Sequence, residues 1–151
     1  MTRLRLPDAI AILAGFAACA VTGAAHAVEV HDMKGLEAIF GRYAPGGDCQ
    51  RQPQILVDVT GLTFEGAGKT EKVTNPEYAV SYGGDGYDGN ARWIFPFRNG
   101  ADSYPILMTF NDGEKPGALT IGGHEEGYPG GPPLSARNAA LVKGSPYAKC
   151  K

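Results

Sequence analysis

After residue 24 this chain has no apolar run near the roughly 20 residues that cross a bilayer as a helix. No transmembrane segment is therefore expected beyond the leader described below. Charge of one sign is also missing. Lys and Arg are scattered, and the formal net charge is only −2. That leaves no basic patch for nucleic acid and no basic amphipathic helix for a membrane surface. Cysteine is scarce, with three in 151 residues. Histidine is equally scarce, so the three or four ligands of a transition-metal centre are hard to assemble. No cofactor motif is present, and none is expected to bind.

What is present begins with an address. Arg3 and Arg5 precede the apolar stretch AIAILAGFAACAVTGA, and Ala25-His26-Ala27 follows. A positive start, an apolar middle and a small-x-small end make a secretory signal peptide. Residues 1–27 are read as the signal and 28–151 as one disulfide-linked β-rich domain, periplasmic or secreted. Lipidation at Cys19 is the weaker reading. Phe16 stands where a lipoprotein signal carries an aliphatic residue, and a good cleavage site lies downstream.

Removing the leader leaves Cys49 and Cys150. An even pair in an oxidising compartment reads as one disulfide.

The periodicity then sets the fold class. Asp32 can cap a short helix, with Met33, Leu36, Ile39, Phe40 and Tyr43 at helical spacing. From Gln54 the period changes to two. Ile55, Val57 and Val59 alternate with polar and apolar neighbours, and Leu62 with Phe64 continues the pattern. Lys69–Thr74 is a polar strand. Tyr78–Tyr82, Trp93–Phe97, Tyr104–Phe110 and Ala118–Ile121 complete about seven strands, separated by Gly, Asn and Asp turns. This predicts a mainly β fold, one antiparallel barrel or sandwich with a short helix near each end. Pro96 within the aromatic run marks a bulge or an edge position. Ser135 caps the second helix.

Several short motifs have a functional and a plainer reading. Gly66-Ala67-Gly68-Lys69-Thr70 resembles the end of a phosphate-binding loop, but Thr63 replaces its first glycine. A hairpin turn is the better reading. Ala79-Val80-Ser81-Tyr82-Gly83 resembles a nucleophile elbow without its first glycine, and a strand context removes the required helix. Asp85, Asp88 and Asn90 offer oxygen ligands, but Tyr87 breaks the calcium-loop spacing. The plainer reading is a glycine-rich turn.

Gly122–Pro133 (GGHEEGYPGGPP) has no regular propensity, and loops carry function more often than scaffolds do. His124, Glu125 and Tyr128 are the candidate binding residues. Pro129, Pro132 and Pro133 limit the loop's free conformations and so the ordering cost of binding.

Two segments carry a resemblance: Gly41–Cys49 (GRYAPGGDC) and Leu134–Cys150 (LSARNAALVKGSPYAKC). They look like small exported bacterial proteins of unassigned function. The architecture also resembles that of the periplasmic lysozyme inhibitors, small β-rich domains with a signal peptide and one disulfide. In the inhibitors of vertebrate lysozyme, a loop histidine reaches into the enzyme cleft, a role the resemblance suggests for His124. The short cysteine-bounded loop that holds that histidine is missing here, because Cys49 and Cys150 lie far from His124.

The expected function is non-catalytic binding of a protein or cell-envelope ligand, with lysozyme inhibition as its most concrete form. A second reading is a small-molecule-binding barrel lined by Trp93, Phe95, Tyr104 and Met108. A third is a small hydrolase using Ser81 or His124.

Overall fold

The computed structural model describes residues 28–29, 33–79, 82, 86–99 and 103–151. The leader, Cys19, Asp32, Ser81 and Asp85 lie outside them. The described residues form ten strands: β1 (Val28–Glu29), β2 (Gly41–Pro45), β3 (Gln54–Asp58), β4 (Gly61–Gly66), β5 (Lys69–Val73), β6 (Glu77–Tyr78), β7 (Arg92–Phe95), β8 (Ile106–Phe110), β9 (Ala118–Gly123) and β10 (Tyr147–Lys149). One α-helix, α1 (Ala136–Gly144), precedes β10. The strands make a single sheet in the order β1-β6-β7-β8-β9-β10-β2-β3-β4-β5. Every pairing is antiparallel.

The sheet is open but strongly curled. β4 and β7 are six strands apart in that order. At about 4.8 Å per strand, a flat sheet would separate them by roughly 29 Å. Instead Phe64 of β4 meets Phe97, two residues past β7, with ring centroids 4.9 Å apart. Ile55, Leu62, Ile94, Met108, Phe110 and Leu119 all enter one core inside the curl.

Helix α1 packs on the core through Leu141, beside the β4–β5 hairpin. Ser135 caps it through Oγ, which accepts from the Asn138 N–H at 3.3 Å. Leu141 and Asn138 are its buried side chains. Arg137 stretches from Glu71 on β5, at 2.6 Å, to the face of the Phe97 ring, with Cζ 3.5 Å from its centroid. An exposed ion pair of this kind contributes at most about 1 kcal/mol. Its importance lies in where it reaches.

The expected helix near the amino end is a correction. Met33, Leu36 and Ile39 are buried as predicted, but only a 3₁₀ turn, Glu37–Ile39, forms among the described residues. Met33 and Gly35 take positive φ, which breaks a helix. Tyr43 then belongs to β2, where pairing with both β3 and β10 overrides the helical spacing. The estimate of about seven strands was low for the same kind of reason. β1 and β10 are only two and three residues long, and β2 carries the helical spacing rather than a period of two.

The hairpin reading of Gly66–Thr70 is what the chain adopts. Gly66 pairs with Lys69, and Ala67 and Gly68 both take positive φ (49° and 72°), a two-residue turn of the primed kind. Cys49 and Cys150 form the disulfide, with Cα atoms 5.7 Å apart.

Candidate functional site

Strand alternation sends Ile94 into the core and its neighbours Trp93 and Phe95 to the opposite face. Met108 lies directly across from Ile94 and is fully buried in the core. So Trp93, Phe95, Tyr104 and Met108 do not line one cavity. Met108 fills the core, and the three aromatics lie on the sheet's other side. The stripe also ends sooner than its spacing suggests. β7 stops at Phe95, and past Pro96 the chain turns Phe97 into the core against Phe64.

On that other face the aromatics form a continuous layer. Phe95 is only 5% exposed. Tyr104, His124 and Tyr82 cover it, with centroids at 4.5, 5.0 and 5.8 Å. Trp93 continues the layer, 6.3 Å from Tyr82 and 5.1 Å from Tyr87. The rings touch each other, so they form a platform and not a cage around a cavity. Tyr82 stands proudest, at 45% exposed.

Polar groups edge the platform. The Tyr104 hydroxyl donates to Glu77 Oε2 at 2.6 Å and accepts from Arg98 Nη2 at 3.1 Å. Arg98 Nε also pairs with Glu77 Oε1 at 3.0 Å. The Glu77 carboxylate, then burial, holds the Tyr104 hydroxyl above its ordinary pKa. Burial, then the Glu125 charge, does the same to Tyr82. At the far end Tyr87 donates to Glu114, whose other oxygen accepts the Asn90 N–H at 2.6 Å. Those two bonds hold the Glu114 carboxyl below its ordinary value.

The predicted binding residues divide between two places. His124 and Glu125 belong to the platform. Their backbone N–H groups donate to Pro105 O and Tyr104 O at 3.0 and 3.1 Å, prolonging β9 beyond Gly123. Glu125 Oε2 accepts the Tyr104 N–H at 2.8 Å. The Tyr82 hydroxyl lies 3.4 and 3.3 Å from the two His124 ring nitrogens, a long and unfocused contact. Tyr128 sits in a separate turn, closed by Gly131 N–H to Tyr128 O and by Gly127 N–H to Pro132 O, both 2.8 Å. It is 53% exposed. No bond or ring contact among the described residues joins Tyr128 to His124.

Tyr82, Tyr87, Glu77 and Arg98 are not binding candidates from the sequence alone. Their usable signal was the parity of Trp93 and Phe95 against Ile94, which needs the register with β8 to interpret. Among the described residues no group of three or more His, Cys, Asp or Glu side chains is placed to hold a metal. The His124 ring meets the aromatic rings of Tyr82 and Phe95. The platform can offer stacking, apolar contact and a charged rim. No protein family, curated sequence or solved structure significantly matches this chain.

Proposed function

We propose that this is an exported, non-catalytic binding protein that holds a protein partner on the aromatic platform of β7–β9. The observation that carries this reading is the layer of Tyr82, Trp93, Tyr104 and His124 packed over Phe95, opposite the core. Tyr, Trp and Arg dominate the energy of protein interfaces, and Arg98 stands at this rim. Trp93 and Phe95 sit on a strand paired on both sides, which lowers the ordering cost of association. The leader and the disulfide agree with an oxidising compartment outside the cytoplasm.

A lysozyme is the most concrete partner. His124 lies within the layer, packed on Phe95, so contact here means burying the platform against the enzyme surface. A panel of animal, bacterial and phage lysozymes tests this directly. The wild-type protein is expected to inhibit at least one. Tyr82→Ala combined with His124→Ala should weaken inhibition by tenfold or more, with the melting midpoint within a few degrees of wild type. A panel left fully active rejects the inhibitor reading. Capture of envelope proteins that the double variant retains undiminished rejects the platform as the contact surface.

Export has its own measurement. Intact mass of the protein from a periplasmic or secreted fraction should equal that of residues 28–151 with the disulfide formed. A species that keeps its leader, or carries lipid at Cys19, overturns it.

A further inference from the structure

Helix α1 turns small side chains toward the β4–β5 hairpin. Ala136 and Ala140, one turn apart, face Gly66 and Ala67 across a cleft of about 550 Å³. That volume lies within the range of small-molecule sites. Its floor is apolar: Pro53, Phe64 and Leu141. A second hollow of about 340 Å³ lies at the hairpin tip, where Gln52, Thr70 and Gly68 contribute. The two hollows share Gln52, Glu65, Gly66, Ala67 and Lys69, so an apolar half and a polar half adjoin along the hairpin.

The charges in the groove are not equivalent. Glu65 is paired with Arg42 at 2.6 Å, and Glu71 with Arg137 at 2.6 Å. Arg137 is further fixed over Phe97 and by its Nε bond to Asn138 Oδ1 at 3.0 Å. Lys69 belongs to both hollows and makes no ion pair among the described residues. The polar half therefore presents one uncompensated cation, beside the donors of Gln52 and Thr70.

We propose that this groove binds an amphipathic anion: an alkyl or acyl chain along Phe64 and Leu141, with a carboxylate or phosphate head at Lys69. None of its lining residues belongs to the aromatic platform, so the site is independent of the partner proposed above.

Calorimetric titration with octanoate, decanoate, decyl phosphate, octanol and octyltrimethylammonium tests it, each below its micelle concentration. Both anion classes are expected to bind, and the alkylammonium is not. Decanoate should exceed octanoate by roughly two- to fourfold per added methylene. Whichever anion binds tighter identifies the source as a free acyl chain or a phosphorylated lipid. Lys69→Gln should weaken the anions about fivefold and leave octanol unchanged. Ala140→Trp, at an exposed position, should fill the cleft and weaken every ligand at least tenfold. Amide shifts in the wild-type protein give a readout that needs no variant to fold. Decanoate should move Ala136, Ala140 and Lys69 before His124 or Trp93. Absence of binding up to 10 mM, equal binding of the alkylammonium, or shifts centred on His124 overturns the proposal.

Discussion

Replacing Cys150 with serine is expected to lower the unfolding free energy by about 4–5 kcal/mol, and the melting midpoint on the order of 10–20 °C. Chain entropy supplies the first part. The bond closes a loop of 101 residues, for which loop-closure models give about 4.7 kcal/mol. Topology directs where the loss is felt. β10 is three residues long, yet it is the strand that joins β9 to β2. Tyr147 and Ala148 pair with Leu119 and Ala118 on one side and with Pro45 and Ala44 on the other. Without β10 the sheet divides into β1 and β6–β9 on one side and β2–β5 on the other. Cys150 follows β10 directly and gives its N–H to Arg42 O at 2.8 Å. The disulfide thus pins the last residues of the strand that unites the sheet. Cys49→Ser should cost the same, and the double variant no more than either single one, because both remove one crosslink. A midpoint shift of only a few degrees, or two free thiols by alkylation of the native protein, would falsify this account.

This dependence on β10 also shows where the sequence is readable. β3, β4, β5, β8 and β9 declare themselves through period-two alternation and their turns. Those turns are chemical signals: Ala67-Gly68 at positive φ, and Asn111 with Gly113 likewise. The pair of cysteines was legible from its even count and the leader. β2 and β10 were not legible. Gly41 and Pro45 bracket a strand whose apolar residues continue the 33, 36, 39 spacing, and Tyr147–Lys149 is too short for any period. What makes both of them strands is pairing on two sides: with each other over a hundred residues apart, and with β3 and β9 respectively.

The platform follows the same logic. Sequence shows that Trp93 and Phe95 alternate, but only the Ile94–Met108 register says which face is core. The change of side at Phe97 depends on Pro96 ending the strand. His124 could be suspected as a loop residue. That Tyr82 and Phe95 are its neighbours could not, because they reach it through tertiary packing. The α1 cleft needs the helix laid against a hairpin some 70 residues earlier, which no local pattern encodes.

Alkali should unfold the protein steeply, through two tyrosines of the β2–β10 seam. Tyr43 is fully buried and Tyr147 is 2% exposed. Tyr43 donates its hydroxyl to Ile39 O and Tyr147 to Leu141 O, both at 2.8 Å. Ionising either one removes that donor and leaves a buried phenolate facing a carbonyl oxygen. Burial therefore pushes both pKa values far above the ordinary tyrosine value of about 10. The folded state keeps these protons longer than the unfolded chain does. Their contribution is complete below about pH 10, where the unfolded tyrosines are protonated too. It is lost as pH rises from there toward the folded-state values. Together these two protons should contribute about 2.7 kcal/mol per pH unit to the loss of stability above 10. Tyr43 and Tyr147 should then appear in the phenolate absorbance as one cooperative step, together with the loss of far-ultraviolet ellipticity. Tyr147→Phe should cost about 1 kcal/mol at neutral pH through the lost hydrogen bond. It should also lower the alkaline slope by about 1.4 kcal/mol per pH unit, because one linked proton is gone. A smooth titration of every tyrosine with the fold intact, or a slope unchanged in Tyr147→Phe, would show that these two hydroxyls do not control the alkaline limit.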